Sequence, residues 1–571
     1  MEVKEMRRLL TKFVALGLVI AMTGACFAGC NGNKKNKPIT LTVYSELANV
    51  AGEQVGWSAK ILLEKFNVKI NIITAADGVF ETRMESGDLG DIVVFGGESN
   101  YQTALEAGLL YDWEEENLIQ EHGAYINEHM KDALNKNREL TSTITKGAKK
   151  TLYGFGFNVA TSSENHDDFL YTWDLRWDLY KQLNYPEMKN LDDLIGILED
   201  MKEICPTDAN GNPTYGISLW PDWDGDMVMY VKSLATAYYG YDEFAMGLHD
   251  PITGTYYDAL QKDGPYLEML KFFNKLYQKD LLDPNSMTQT YDEAAAKLKA
   301  GGAFWSIFNY SGCLAYNTDA HLAENKMMCS IKPEEASPIV YGMSTVGGNR
   351  VWSIGANTEY PELCMDIINW LCTPEGYMTY LYGPKDLCWY YDDEGYTQFT
   401  EFGKKVSIDR SAMMEGDYAG LGSFNDGALQ INNTTWSGMA ENPDSNGEVY
   451  NWQFWKSQQV ESRCEVEKDW RERYDVKSAY EYFEKNGYTV SPATSFALAK
   501  KDKDLDTIWE AVKEAVVDGS WKAIYAETDA EFDRLVDEMI KEAKGYGYDT
   551  CVEWAKEQSA IRYQLEEEAR K

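Results

Sequence analysis

Short apolar runs alternate with one-sided apolar stretches from residue 39 onward. Residues 39–44 and 66–73 have the composition of strands, and residues 54–66 place Val55, Ile61 and Leu62 on one side of a helix. A short apolar run at 92–95, bracketed by glycines and acidic residues, has the pattern of a strand buried on both faces. This order predicts a βαβαβ unit, which favours a parallel sheet with right-handed crossovers.

The residues that follow these predicted strands are candidates for a ligand site. Ligands of open parallel sheets bind at the carboxyl ends of the strands. Gly96 and Gly97, which lack a Cβ, would let a bound molecule approach the backbone closely, and a simple glycine turn is the alternative interpretation. Nearby groups that could hydrogen-bond to a ligand are Glu46, Glu98 and Asn100.

The pattern predicts a second α/β unit further along the chain. Asn190 is placed to cap a helix with an apolar stripe, with Asp193 at the capping-box position. Residues 215–219 and 303–308 have the composition of strands. After about residue 405 the chain becomes aromatic and polar, and residues 505–543 have a helical pattern, which suits a C-terminal cap on this unit.

Two indoles and three carboxylates follow the predicted strand 215–219 directly, at Trp220, Asp222, Trp223, Asp224 and Asp226. An indole packs on the apolar face of a sugar ring, while a carboxylate accepts hydrogen bonds from neighbouring hydroxyls. The pairing therefore predicts a sugar site, although each tryptophan could instead pack inside the protein. Further candidates of the same kind are Trp305, Asn309, Trp352 and Trp436.

The first 38 residues have the pattern of an export signal followed by a tether. Basic residues precede a short apolar core at 13–22, which is too short for a permanent membrane span. Residues 27–30 resemble a bacterial lipobox, in which the cysteine is lipidated and becomes the new N-terminus. We therefore expect residues 1–29 to be a signal peptide, Cys30 to carry lipid, and residues 30–38 to form a polar tether.

Charge and cysteine usage narrow the function classes. A formal net charge of −38 repels nucleic acid and anionic lipid, so a polyanion-binding role is not expected. Cys26 lies in the signal segment and Cys30 in the lipobox, and the other eight cysteines lie among apolar neighbours without zinc-like spacing. We expect most of them to be small core residues, with a structural disulfide left open.

Five segments, in order along the chain, resemble those of extracellular solute-binding proteins of ABC importers. They are 87–93 ("GDxPD", with Gly90 for Pro), 107–112 ("AGLL-x-D"), 297–304 ("F-x-x-GKAAM"), 359–363 ("HPE-A") and 382–396 ("YG-x-EG…Y-x-x-D-x-x-G"). Together with the lipobox, they are similar to the family 1 type, and the last segment to its large oligosaccharide-binding lipoproteins.

This resemblance implies an α/β fold of the periplasmic-binding-protein type II, with two lobes, hinge strands and a C-terminal helical cap. Lobe 1 would comprise residues 39–154 with roughly 340–400, and lobe 2 residues 155–339 with roughly 401–571. Hinge closure over an oligosaccharide would present it to the permease subunits. The protein would be a monomer on the extracellular face of the bacterial cytoplasmic membrane, held there only by lipid.

The chain offers little for catalysis or for a metal. Its five histidines show no HExxH or triad-like context, and GxSxG and P-loop motifs are absent. Residues 208–212 alternate oxygen side chains as a calcium loop does, but Leu219 occupies the twelfth position, so a hairpin turn is favoured and no cofactor is expected. The alternatives are a secreted glycoside hydrolase using Asp222 or Asp224, and a peptide-binding or sensory lipoprotein of the same fold.

Overall fold

The computed structural model describes residues 37–76, 78–144, 151–163, 166–459, 462–494 and 498–570. The predicted signal peptide and lipidated Cys30 lie outside these residues. From Thr40 onward the described residues belong to one compact unit. No helix in these ranges is long and apolar enough to cross a membrane.

The strands run in chain order as follows: β1 (Ile39–Ser45), β2 (Gly52–Glu53), β3 (Val68–Thr74), β4 (Ile92–Val94), β5 (Gly154–Gly156), β6 (Tyr171–Arg176), β7 (Asp242–Phe244), β8 (Gly247–His249), β9 (Tyr256–Asp258), β10 (Trp305–Phe308), β11 (Met328–Ser330), β12 (Ile339–Tyr341), β13 (Val351–Ile354), β14 (Trp389–Tyr391), β15 (Thr397–Phe399) and β16 (Thr489–Ser491).

The α-helices are α1 (Gly56–Phe66), α2 (Val79–Ser86), α3 (Glu98–Glu106), α4 (Leu118–Glu121), α5 (Ala124–His129), α6 (Lys131–Ile144), α7 (Trp177–Gln182), α8 (Leu191–Ile204), α9 (Met229–Tyr239), α10 (Pro265–Gln278), α11 (Tyr291–Lys299), α12 (Cys313–Tyr316), α13 (Asp319–Ala323), α14 (Pro361–Cys372), α15 (Pro374–Tyr382), α16 (Glu401–Ile408), α17 (Phe424–Gly427), α18 (Glu465–Tyr474), α19 (Ala479–Asn486), α20 (Lys503–Ile524), α21 (Asp529–Tyr546) and α22 (Tyr548–Ala569). Single 3₁₀ turns occur at Glu115–Asn117, Gly416–Tyr418, Trp452–Phe454 and Lys456–Gln458.

The predicted βαβαβ unit is confirmed and forms half of the first sheet, whose strand order is β2-β3-β1-β4-β13-β5. Strand β4 pairs with β1 in parallel, with Val43 opposite Ile92, and all three β4 residues are fully buried. The apolar run is continuous because neither face of β4 is exposed to water.

Strands β5 and β13 complete the first sheet in antiparallel pairing. Glycine is needed in β5 because the partner backbone lies so close: a Cβ on Gly154 would lie 2.2 Å from the Trp352 carbonyl oxygen, and one on Gly156 only 1.9 Å from that of Gly348. This close approach places the start of β13 beside the carboxyl end of β4, where Phe95 N–H donates to the Val351 carbonyl over 3.0 Å.

The second sheet is smaller than the first, with β6 between β10 and β11 in antiparallel pairing. The predicted strand at 303–308 is confirmed as β10. The predicted strand at 215–219 is not a strand, because Tyr215 and Ile217 make only isolated bridges, to Ala303 and Leu282. The expected helix cap is present, since the Asn190 side chain accepts from Asp193 N–H and the Asp193 carboxylate accepts from Asn190 N–H.

The C-terminal helices α20 to α22 share one hydrophobic core with the second sheet. Trp521 of α20 is 3% exposed, and Asn274 of α10 donates to the carbonyls of Ile524 and Ala526 over 3.1 and 2.7 Å. The helical pattern predicted at 505–543 is thus confirmed, and helix extends beyond it to Ala569.

One segment from the C-terminal part of the chain packs on the first sheet. Residues 424–431 fall in the range 401–571 that the sequence placed with lobe 2, but they bond to the first sheet and to α1. Trp57 Nε1 donates to the Phe424 carbonyl over 2.8 Å, and Ser45 Oγ donates to the Ile431 carbonyl over 2.7 Å. The local pattern could not reveal this packing because it depends on contacts across more than 360 positions of sequence.

The cysteines of the described residues are all free thiols. As expected for core residues, five are buried: Cys329, Cys364, Cys372, Cys388 and Cys551.

Candidate ligand-binding site

Two cavities border the edge of the first sheet at which β1 and β4 end. The larger, here called the Trp223 cavity, has a volume of about 1090 Å³. The smaller, here called the Glu98 cavity, has a volume of about 550 Å³. The loop between β1 and β2 separates them, with Glu46 on the Glu98 cavity and residues 49–55 on the Trp223 cavity.

One wall of the Trp223 cavity is aromatic. Trp223 is 47% exposed, and its ring lies 4.7 Å from that of Tyr291 at an interplanar angle of 32°. Trp220 packs edge-on beneath Trp223, with ring centroids 5.3 Å apart, and is only 1% exposed. Asp222 accepts a hydrogen bond of 2.8 Å from Tyr291 N–H, which fixes the start of α11. The predicted motif therefore builds one exposed aromatic platform, in which Trp223 is the face and Asp222 a support.

The other wall comes from the first sheet, from the end of α15 and from residues between 410 and 434. Tyr380 and Arg410 line it, and the Arg410 guanidinium lies 4.9 Å from the centre of the Phe424 ring. Polar groups lie beside them on residues 425–434. Two of these residues are held in place by hydrogen bonds, Asn432 to the Leu47 carbonyl and Thr434 to the Asn158 side chain.

The three candidates predicted on the first sheet meet at the Glu98 cavity. The Glu46 carboxylate accepts from Gly96 N–H and from Asn100 Nδ2, each over 2.7 Å. Burial raises the pKa of Glu46, and these two hydrogen bonds oppose the rise. Burial also raises the pKa of Glu98, with the nearby positive charge of Lys136 opposing it.

The facing wall of the Glu98 cavity carries positive charge on Lys500, Lys501 and Arg562. Arg562 is already engaged, because its Nε donates to Glu566 over 2.8 Å. Lys500 Nζ donates to Thr103 Oγ1 over 3.3 Å, which connects this wall to α3.

The structure does not bring the other candidates to either cavity wall. Both oxygens of Asp224 are engaged, one by Met229 N–H and one by Trp521 Nε1, each over 2.7 Å, and burial raises its pKa to about 6. Trp305 is 1% exposed and packs on Trp173.

The remaining three candidates are held by backbone hydrogen bonds. Asn309 Nδ2 donates to Phe169, Trp352 Nε1 to Thr434 and Trp436 Nε1 to Cys372, in each case to the carbonyl oxygen. Large side chains at the ends of strands and loops fill the core here. The sequence pattern alone does not show whether such a side chain lies in the core or lines a binding groove.

Sequence reasoning missed Tyr291, Tyr380 and Arg410. Tyr291 carries a usable signal, since it directly follows Thr290, which forms a capping box with Glu293 and so marks the exposed start of a helix. Tyr380 and Arg410 carry no local signal, because their position on the cavity depends on the packing of distant segments.

The loop that resembles a calcium site is a turn held by its own side chain. Asp208 Oδ1 accepts from the backbone N–H groups of Asn210 and Asn212, each over 2.8 Å, and Oδ2 accepts from Asn212 Nδ2 over 3.2 Å. No cluster of metal-ligating side chains occurs in the ranges that the structure describes.

No protein-family model and no curated protein matches the chain. Solved structures do match over nearly its full length. An HMO-binding solute-binding protein associated with an ABC transporter of Bifidobacterium longum infantis is 12% identical, with a TM-score of 0.53, over 92% of this chain and 99% of that one.

Two further structures have similar scores. The N-glycan transport solute-binding protein NgtS of Streptococcus pneumoniae is 15% identical, with a TM-score of 0.53 over 93% of this chain and 100% of that one. The alginate-binding protein AlgQ2 is 15% identical, with a TM-score of 0.55 over 92% and 98%. The chain therefore has the mixed α/β fold of ABC-transporter solute-binding proteins.

Proposed function

We propose that this protein is an extracellular solute-binding protein of an ABC importer and that it binds an oligosaccharide in the Trp223 cavity. The observation that carries the proposal is the exposed Trp223–Tyr291 platform in a cavity of about 1090 Å³ at the carboxyl edge of the first sheet. Such edges bind ligands in α/β folds, and exposed aromatic faces suit the C–H faces of sugars. The matching structures include HMO-binding, N-glycan transport and alginate-binding proteins.

The volume and the polar groups of the cavity suit a ligand of several sugar units. Ligand sites for small molecules typically measure about 300–1,000 Å³, and this cavity, at about 1090 Å³, is slightly larger than that range. Asn425, Gln430 and Asp292 line the cavity and can hydrogen-bond to sugar hydroxyls. The larger cavity rather than the Glu98 cavity is thus the proposed main site, and the Glu98 cavity, with Glu46 and Asn100, would be its extension.

The mechanism would be closure of two lobes around the ligand. We assign the first sheet, with residues 424–431 added, to lobe 1, and the second sheet, with helices α20 to α22 as its cap, to lobe 2. Residues 157–163, 166–168 and 339–344 would be the hinge. A ligand that contacts both walls binds the closed state more tightly and so shifts the population towards it.

Cys30 would anchor the protein by lipid to the outer face of the bacterial membrane, where the permease subunits would take over the ligand. ATP hydrolysis would belong to another subunit. A hydrolase that uses Asp224 is disfavoured because both oxygens of its carboxylate accept hydrogen bonds from the protein itself.

The test is a binding screen of the soluble form that starts at Asn31. Tryptophan fluorescence and thermal shift would be followed against a panel of plant and host oligosaccharides, with each sugar checked afterwards by chromatography. Saturable binding with a raised melting temperature and intact sugar is the expected result. Sugar cleavage would indicate a hydrolase, and binding of peptides alone would indicate the peptide-binding alternative.

A further inference from the structure

Arg410 projects into the Trp223 cavity without a partner for its charge. The residue is exposed, lines the cavity and stacks on Phe424, but its guanidinium makes no hydrogen bond or ion pair with any residue that the structure describes. Partial desolvation of the guanidinium lowers its pKa. The guanidinium therefore has five N–H donors without an acceptor among the described residues, at the wall of a cavity that a ligand would fill.

Most arginines of the described residues pair with an acidic side chain. Acidic residues outnumber basic ones by 92 to 54, and arginines elsewhere pair with them: Arg138 with Glu114 over 2.9 Å, and Arg176 with Asp178 over 2.6 Å. Arg350 and Arg473 also lack an acidic partner, but of these three arginines only Arg410 lines the Trp223 cavity, where a bound ligand could supply the counter-charge.

A second arginine strengthens the positive charge at this place. Arg350, beside the start of β13 on the same sheet edge, stacks on Phe157 at 5.0 Å and likewise has no acidic partner among the described residues. Both arginines act on Tyr380, which lines the cavity: burial raises the pKa of its phenol to about 12, and the two positive charges oppose that rise.

The acidic residues on the cavity do not neutralise Arg410. Glu53 pairs with Lys69 over 2.7 Å, and Asp426 accepts from Ser423 N–H in a capping box. Asp292 lies at the first turn of α11, next to Tyr291 on the aromatic wall, and makes no ion pair with any described residue. The cavity thus has an aromatic wall with one free carboxylate and another wall with free positive charge.

We infer that the bound oligosaccharide carries an acidic sugar and that Arg410 binds its anionic group, with Arg350 adding to the attraction. The neutral sugar units would lie on Trp223 and Tyr291. A planar guanidinium pairs with a carboxylate through two parallel hydrogen bonds, so a uronate or sialate is the expected group, with sulfate as the other source of the same charge. This inference rests on the proposed function.

The first measurement uses the unmodified protein. Calorimetric titration compares oligosaccharides that contain galacturonate, glucuronate or sialate with their methyl esters, which keep the sugar and remove the charge, and with sulfated and neutral oligosaccharides. Loss of a hydrogen bond to a charged group corresponds to about 10- to 100-fold in Kd, so at least one acidic oligosaccharide should bind that much more tightly than its ester. A gain for sulfated sugars instead would support the anion site and identify sulfate as the group.

Salt provides a second readout on the same protein. The Debye length falls from about 30 Å at 0.01 M to about 3 Å at 1 M, so affinity for the acidic ligand should fall with salt while affinity for its ester should not.

Variants then locate the charge. Arg410→Ala should lose the preference for acid over ester, and Arg410→Lys should keep part of it. Arg473→Ala is the matched control, because Arg473 also stacks on a tyrosine, Tyr185 at 4.0 Å, without an acidic partner, but lies outside both cavities. It should leave the preference unchanged.

Esters or neutral oligosaccharides that bind as tightly as the acids would overturn the inference and leave the proposed function intact. An acid preference that survives in Arg410→Ala would overturn the role of Arg410. If no saccharide binds, both the inference and the proposed function fall.

Discussion

Truncation of Trp223 should weaken oligosaccharide binding without unfolding the protein. A tryptophan side chain buries up to about 250 Å² in a full contact, and 47% of Trp223 is exposed, which leaves about 100 Å² for a ligand. At about 25 cal/mol per Å², covering all of this exposed area contributes about 2.5 kcal/mol to the binding free energy. A ligand that covers less than half of the area gains about 1 kcal/mol. Trp223→Ala should therefore raise Kd by about 5- to 70-fold.

The assay is calorimetric titration of the wild type and the variant with an oligosaccharide identified by the screen. Trp223→Phe keeps an aromatic face beside Tyr291 and should recover most of the affinity. Tyr390→Ala is the control, since Tyr390 is 40% exposed on β14 and lines neither cavity. A Kd for Trp223→Ala within about twofold of the wild type, with the variant folded by thermal melting, would refute binding on this platform.

Three further predictions concern residues that the structure places in supporting roles. Trp305→Ala should lower the free energy of unfolding by about 3–5 kcal/mol and leave the Kd for the oligosaccharide unchanged. The loss of stability is measured as a lower urea midpoint and a lower melting temperature. Weaker binding at unchanged stability would instead assign Trp305 to the ligand site. Asp174 is buried in β6, where its carboxylate accepts from Cys313 N–H over 2.6 Å and from Ser330 Oγ over 3.2 Å, and burial raises its pKa from 3.8 to about 6. The folded state therefore holds this proton more tightly than the unfolded state, and the resulting stability, at most about 3 kcal/mol, is complete below pH 4 and lost as pH rises through 6. Asp174→Asn removes this loss, so the melting temperature of the variant relative to the wild type should rise between pH 4 and pH 7, and equal pH slopes would contradict the assignment. Asp208→Ala should lower the free energy of unfolding by about 1 kcal/mol, because it removes the hydrogen bonds that hold the turn. Neither calcium nor a chelator should change the melting temperature of the wild type. A calcium-induced rise in melting temperature that the variant loses would show an ion site.

The sequence predicted the elements whose signal is local. The βαβαβ order, the buried strand at 92–95, the Asn190 capping box and the C-terminal helices follow from periodicity and capping residues, which act over a few positions. The strand predicted at 215–219 was wrong because the segment follows the backbone of Leu281 and Gly302 through single hydrogen bonds rather than a ladder. Its composition is that of a strand, but pairing depends on the neighbours that the fold supplies.

The candidate site was predicted in part, for the same reason. Glu46, Glu98 and Asn100 were expected to meet because they follow strands that end at one sheet edge, and the structure brings them together. Trp223, at 47% exposure, opens to the larger cavity.

By itself, the sequence determined the βαβαβ order, where the first sheet ends and which residue types suit a sugar. Only the tertiary structure decided which aromatic rings reach a cavity and which fill the core. Trp220 and Trp223 lie three positions apart in one motif, yet one is 1% exposed and the other 47%. Arg410 became a candidate only because the segment after α16 packs on the first sheet. Whether a side chain is exposed and whether its charge is paired depend on residues that are distant in sequence, so the local pattern does not reveal them.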